Sequence, residues 1–497
     1  MPLPSFPMNI ELLPAKDGNN TCKINSIFLH SAYAPLRESE RFVSNVTSPF
    51  RPEIIFIIEP GLSYCTEYFR KKFPDTKLAV IRLIKGFENY NKDFDYNFNF
   101  YENSSQKSFF SNLFERFGEN ILAFSLLLCW EPSAKIFSEE TFNILKSYKE
   151  TIEKCHSVLR TRSFFEKRWI KNALNISLFA ENTGSPAKKG SCPVVICASG
   201  PSLKKAIPFL KQVKPYIIAA SSAIRPLFDA GIKPDLVIST DGGYWAKKHL
   251  ETLYKCNSDI VLSVEGNIPV SLLQSSRIIP MIYSDGVESE LFMKSGKPFI
   301  TGLRCGTVSG TALNLAKQVT SGHVYFAGLD LYVSNGFQHT QNNNLELINC
   351  NTDKKILTKE QRLCSQSFSN QKISLKIYED WFANLQKNKK NVFRLIDEPE
   401  NTLGNIKDIK CEELLQIDFS GEKPVFNFSK NHCNLHELQN YIKTKSSTNE
   451  WFENVFTAEY LNYLHTYDEN VKEDLLKKIE DTNTDFLERL CKVFTKN

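Results

Sequence analysis

The sequence predicts an α/β protein: a Rossmann-like parallel sheet in a central domain, an α/β domain before it and a helical region after it. Three observations carry this. Between residues 190 and 350, short β-branched runs such as VVIC, LVIS and RIIPMI alternate with helix-spaced segments. Earlier, RPEIIFIIEPGLSY and KLAVIRL frame a strand, turn, helix and second strand. From residue 435 to 497, apolar residues recur three or four apart.

At 497 residues the chain exceeds the roughly 250–300 residues at which single cores stop growing, so several domains are expected. The segments are 1–180, an α/β domain; 190–418, the central domain; and 435–497, the helical region. In the first, Ile54–Ile58 is a buried strand running into a turn at Pro60 and Gly61. Residues 105–175 read as helical, with Leu145, Tyr148, Ile152 and Cys155 on one face. The longest apolar run, Ile121–Trp130, reads as a core helix and falls short of the ~20 residues a membrane span needs. ENTGSPAKKGS, residues 181–191, reads as a linker, and a second polar stretch covers 420–434.

In the central segment, strands are expected at Val194–Cys197, Tyr216–Ala219, Leu236–Ser239, Ile260–Val264, Arg277–Ile282 and Val324–Phe326. Helices are expected at Ser202–Val213, Ile224–Ala230 and Val308–Val319, with a later helix around Tyr378–Leu385 and a strand at Val392–Leu395.

Composition excludes several classes. A hydrophobic fraction of 42%, a charged fraction of 24% and a net charge of +5 without a dense basic block argue against a nucleic-acid face. Thirteen scattered cysteines without a CxxC pair indicate buried thiols in a reducing compartment. With no basic-then-apolar leader at the start, the expected location is cytoplasmic. His432 and His436 share a helical spacing but lack the Glu and third ligand of a zinc site, so no metal residue is assigned.

Four motifs follow strands, where ligands of open parallel sheets bind. Ala198-Ser199-Gly200-Pro201-Ser202-Leu203 opens a helix, and Gly200, Pro201 and Ser202 suit a phosphate cradle. Asp241 with Gly242 and Gly243 could hold a ribose hydroxyl or Mg2+ while the glycines leave room. Arg304, Gly306, Thr307 and Ser309 combine a fixed positive charge with a small-residue helix start. Asp330 ends the segment Gly328-Leu329-Asp330, and His339 beyond it is a candidate general base. Asp241 and Asp330 are expected to face one crevice. In the first segment, one glycine remains at Gly61 and Arg82 stands where a ribose-binding acid belongs, so that domain reads as a scaffold or partner surface.

ICASGPSLKKA, ASSAIRPLFDAGIKPDLVISTDGGYW, CGTVSGTALNLA and VYFAGLDLY resemble the domain of the 6-hydroxymethylpterin diphosphokinase MptE, which also forms the core of the motility-associated-factor (Maf) flagellin glycosyltransferases. FLHSAYAPLRESERFV and NVFRLIDEPENTLGNI resemble the Maf flanks, so the resemblance covers about four fifths of the chain. GPSL and GLDLY also resemble bacterial sialyltransferases. The resemblance implies transfer of a pseudaminic- or legionaminic-type nonulosonic acid from its CMP form to Ser or Thr of flagellin. Mapped onto it, Gly200, Pro201 and Ser202 cradle the phosphate, Asp241 holds the ribose or organises the phosphate, Gly306, Thr307 and Ser309 line the donor carboxylate, and Asp330 faces the cytidine. His339 falls where the family often has a histidine. Ala198 replaces the usual first glycine of the loop. The alternatives are MptE-like diphosphate transfer from ATP with Mg2+ on Asp241, and a non-catalytic flagellin-binding or assembly factor.

Overall fold

The computed structural model describes residues 10–102, 109–334, 336–353, 358–368, 375, 378, 379, 381–383, 385 and 391–495. Two compact units form: Met1–Phe164 with Phe452–Thr484, and Phe165–Trp451 with Asp485–Asn497.

The first unit begins with an antiparallel sheet of β1 (Ile10–Pro14), β2 (Asn20–Ile24) and β3 (Ile27–Phe28). After α1 (Pro35–Ser44) come β4 (Ile54–Ile58), α2 (Cys65–Lys72), β5 (Lys77–Arg82), β6 (Tyr96–Asn99), α3 (Phe109–Ala123), β7 (Ser125–Cys129), α4 (Glu131–Ile136) and α5 (Ser138–Phe179). Strands β6, β5, β4 and β7 pair in that order, all parallel. Every residue of β4 is buried, because one face packs under Leu62 and Phe87 and the other under Phe69 and Phe73.

The expected core helix over Ile121–Trp130 is corrected here. Helix α3 stops at Ala123 and Ser125–Cys129 pairs with β4 as a strand. A continuous apolar run carries no period, and pairing with a fully buried strand decides it.

Arg82 is buried at the end of β5. Its guanidinium donates to Glu59, the Gly61 carbonyl, the Ser63 hydroxyl and Asn91. Three of these four bonds go to the turn after β4, the turn that binds a ligand in a dinucleotide fold.

In the second unit, the strands are β8 (Asn182–Lys188), β9 (Val194–Cys197), β10 (Tyr216–Ala220), β11 (Leu236–Ser239), β12 (Asp259–Ser263), β13 (Arg277–Ile282), β14 (Ile300–Thr301), β15 (Val324–Ala327), β16 (Val392–Leu395), β17 (Lys407–Ile409) and β18 (Val425–Lys430). The helices between them are α6 (Leu203–Val213), α7 (Ile224–Asp229), α8 (Tyr244–Leu250), α9 (Val270–Ser275), α10 (Val287–Met293), α11 (Val308–Val319), α12 (Asn344–Thr352) and α13 (Lys359–Phe368).

The sheet order is β17-β16-β15-β9-β10-β11-β12-β13-β8-β18, with β14 also on β13. From β9 the chain steps outward through β13, then returns to lay β15 on the other side of β9. That reversal is a topological switch point, and its crevice lies beyond the C-terminal ends of β9 and β15. Both faces are covered: Val194 and Ile196 pack into one core, Val195 and Cys197 into the other. Burial on both sides explains why these strands read as unbroken apolar runs.

The linker expected at 181–191 is also corrected. Asn182–Lys188 is a strand, parallel to β13 and antiparallel to β18. Its Gly184 is required by close approach, since a Cβ there would lie 2.6 Å from the Asn427 carbonyl oxygen. The polar stretch at 420–434 supplies the partner strand β18. The helix expected around Tyr378–Leu385 falls partly outside the described residues. The helical tail comprises Leu435–Lys445, Asn449–Val455, Thr457–His465 and Glu469–Phe494. No helix among the described residues is long and apolar enough to cross a membrane.

Candidate functional site

Strands β9 to β15 run parallel, so the turns at their C-terminal ends share one edge of the sheet. Along that edge lie Ser199–Ser202, Ser222, Asp241–Gly243, Glu265, Asp285, Arg304–Ser309 and Gly328–Asp330.

At the switch point the two motif loops lock together. Gly200 N–H donates to the Gly328 carbonyl at 2.8 Å. Ser202 donates to Asp330 twice, from its amide at 2.7 Å and from its hydroxyl. Burial raises the Asp330 carboxyl above its usual range, and the two Ser202 bonds oppose that rise. The glycines permit the approach: a Cβ on Gly200 would lie 2.5 Å from the Gly328 oxygen, and one on Gly328 2.5 Å from the Ala198 oxygen. Arg394, fully buried, ties the same turn from behind through Leu329 O, Asn401 and Asp408, and Asn401 donates to Asp330 O.

The phosphate cradle expected at Gly200, Pro201 and Ser202 therefore looks different in three dimensions. Pro201 has no N–H, the Gly200 and Ser202 amides are taken, and Leu203 N–H turns back to Gly200 O. An aspartate of the same chain sits where an anion would go. Asp330 and Asp241 also differ in setting. Asp330 is buried, whereas Asp241 is exposed, and its carboxylate accepts from Gly243 N–H at 2.8 Å.

Gly242 and Gly243 were expected to leave room for a ligand. At Gly242 that space is filled, since a Cβ there would lie 2.8 Å from Trp169 Nε1; at Gly243 a Cβ would meet the Asp241 side chain, with Oδ1 at 3.1 Å. Asn172 donates to the Glu265 carbonyl at 2.8 Å and so holds the same turn.

Arg304 was expected as a fixed positive charge at a phosphate or carboxylate site. It is instead caged by Glu265, through both terminal nitrogens, by Asp285 at 3.0 Å and by Glu288 at 3.3 Å, with its guanidinium 4.3 Å from the Tyr283 ring centre. Burial, and then the charge of Glu265, push the Glu288 carboxyl up to about 8. A proton on Glu288 removes one of the negative charges that face Arg304.

Helix α11 differs from α6. Thr307 caps it, its hydroxyl accepting from Ser309 N–H at 3.3 Å. Gly306 has φ +69, a left-handed conformation that favours glycine. The amides of Gly306, Thr307 and Val308 have no hydrogen-bond partner among the described residues. Tyr378 stands near both Gly306 and Asp241; burial first, and the Asp241 charge second, raise its phenol.

His339 joins the switch point. Its Nδ1 lies 2.7 Å from Ser199 Oγ, Ser222 Oγ donates to Ser199 Oγ at 2.7 Å, and Thr340 N–H donates to Ser199 O. Burial holds its imidazole below the usual range, and a bond to the Ser199 main chain offsets this in part. His249 on α8 is lowered to about 4 by burial and by the charge of His339.

The structure thus gathers His339, Gly200, Ser202 and Asp330 at one crevice, with Asp241 and the start of α11 farther along the same edge. Sequence reasoning missed Ser199, Ser222, Glu265, Glu288 and Trp169. For the serines and Glu265 a signal existed: each lies within two residues of the end of a buried strand. Trp169 and Glu288, inside helices, carried none.

Such an edge defines a class: a doubly wound α/β domain with its polar loops at a switch point. The family model described as 6-hydroxymethylpterin diphosphokinase MptE-like matches residues 167–336, so the second unit carries an MptE-like domain. A protein of Treponema pallidum (strain Nichols), described as uncharacterized, is 28% identical over 326 residues, 65% of this chain and 71% of that protein. The MAf glycosyltransferase from Magnetospirillum magneticum AMB-1 superposes over 99% of this chain and 91% of its own, with TM-score 0.55 and 11% identity. The Maf-like fold with an MptE-like core, expected from the motifs, is borne out by this match and by the domain model.

Proposed function

We propose that the chain is a glycosyltransferase that moves a nonulosonic acid from its CMP form to a Ser or Thr hydroxyl of flagellin. The observation that carries this reading is the open start of α11 on the same strand-end edge as His339. Amides at Gly306, Thr307 and Val308 with no partner among the described residues suit an anionic phosphate or carboxylate, and the helix dipole adds to them. The phosphate role first given to Gly200, Pro201 and Ser202 passes to this second helix start, and Asp330 becomes the group that holds the turn. Asp241, exposed beside Tyr378, is left for the ribose. Fixed donors aimed at the departing phosphate stabilise the charge that develops there. The fold shared with a Maf glycosyltransferase supports this reading.

Incubation with a CMP-nonulosonate and flagellin is expected to add the sugar's mass to flagellin. No added mass across several such donors would overturn the proposal. The MptE-like domain favours one second reading, diphosphate transfer from ATP to a hydroxymethyl pterin, with Mg2+ held by Asp241 and the nucleotide phosphates. AMP release that depends on the pterin and stops with EDTA would select it.

A further inference from the structure

We propose that Ser199 and Ser222 are positioning residues that turn His339 into a base by fixing which of its ring nitrogens carries the proton. The inference rests on the transfer reading and adds to it a device for activating the acceptor.

Ser199 Oγ makes two hydrogen bonds, one received from Ser222 Oγ and one shared with His339 Nδ1. A hydroxyl oxygen has two lone pairs, so Ser199 can accept from both neighbours at once. A bond to the Ser199 main chain also partly restores the imidazole's basicity. With Nδ1–H donated to Ser199, Nε2 is bare. No described residue bonds to Nε2, which leaves it for substrate. In Ser-His-Asp sites a buried carboxylate performs this orientation. Here a pair of hydroxyls, from the ends of β9 and β10, does so without a charge.

The chemistry balances. Nε2 takes the proton of the acceptor hydroxyl as that oxygen's electron pair forms the new bond to the donor's anomeric carbon. The bond to the nucleotide phosphate breaks, and its pair leaves with the phosphate. His339 ends as an imidazolium, with Nδ1–H still on Ser199.

A neutral orienting group has a consequence that a carboxylate lacks. Nothing anionic in the relay stabilises the imidazolium, and the neighbouring side chain on α8 that feels the charge of His339 is His249, also an imidazole. His339 therefore stays neutral, and competent as a base, below the pH at which an ordinary histidine is protonated.

The experiment is nitrogen-15 NMR of the imidazoles in the full chain, together with pH profiles of kcat. The wild-type protein is expected to show His339 protonated on Nδ1, titrating below the usual histidine range. Ser199→Ala is expected to lose the single tautomer and to lower kcat on the order of tenfold, with KM little changed. Ser199→Thr, which keeps the hydroxyl, is expected to restore both, and Ser199→Asp to move the acid limb of the profile upward. Should Ser199→Ala fail to fold, Ser222→Ala gives the same readout with a smaller loss. A wild-type His339 protonated on Nε2, or a tautomer and pH profile untouched by Ser199→Ala and Ser222→Ala, would overturn the inference. The NMR arm needs no donor, so it stands even if no sugar is transferred.

Discussion

Two helices of the second unit, α6 and α11, begin at the same edge of the sheet, and their N-termini have opposite fates. At α6, glycine, proline and serine follow a buried strand, the pattern most suggestive of an anion site, yet the chain fills it with the carboxylate of Asp330. At α11, a threonine cap orders the start while three amides stay without a partner among the described residues. The motif alone does not say whether a helix dipole meets a ligand or an internal acid. What decides is whether another strand-end loop brings a carboxylate close enough, and the glycine pair Gly200 and Gly328 is what lets that loop in.

If α6 is closed for structural reasons, damage there should cost stability before it costs donor binding. Asp330→Ala strands two half-buried donors on Ser202 and is expected to lower unfolding free energy by about 2 kcal/mol or more in a urea titration. Gly200→Ala forces a methyl into the turn and is expected to cost about 2 kcal/mol by the same measurement. A large loss of donor affinity with unchanged stability in either variant would break the comparison.

The Arg304 cage tests the approach to α11. Glu288 has a folded-state pKa raised to about 8 by burial and Glu265. The native state therefore holds a proton that the unfolded chain releases near the ordinary glutamic value. That contribution is whole below the unfolded pKa and is lost as pH climbs through about 8, with a slope of at most ~1.4 kcal/mol per pH unit. Glu288→Gln is expected to flatten this slope in melting curves taken from pH 5 to 9. The smallest effect belongs to Thr307→Ala, which removes the α11 cap: about 1 kcal/mol of stability, with a weakening of donor binding, read as KM, that Gly200→Ala does not produce.

Much of the architecture was legible from residues alone. Strands β4, β11, β13 and β16 and helix α11 begin and end where apolar runs and small-residue starts put them. The strands among these are covered on both faces and α11 buries the face it turns to the sheet, so local sequence and tertiary demand agree. Strand β8 was not legible, because NTGSPAK has no apolar pattern and its identity comes from pairing with residues more than two hundred positions away. The run over Ile121–Trp130 was misread because, without a period, only its neighbour β4 makes Ser125–Cys129 a strand. At the site, motif residues were found but their partners were not. Glu265, in the turn after β12, and Glu288, in α10, cage Arg304, and no spacing in the sequence links them.

The late arrival of β18 has a bearing on biosynthesis. Strand β8 emerges from the ribosome long before Val425–Lys430, the segment that covers its outer side. Until then its amides and carbonyls form a bare margin open to any extended peptide. A fragment cut at 190–418 would lack both strands and leave β13 with only the short β14 pairing at Met281 and Ile282 beyond β12. For this sheet, the last stretch of polar sequence acts as the seal against self-association.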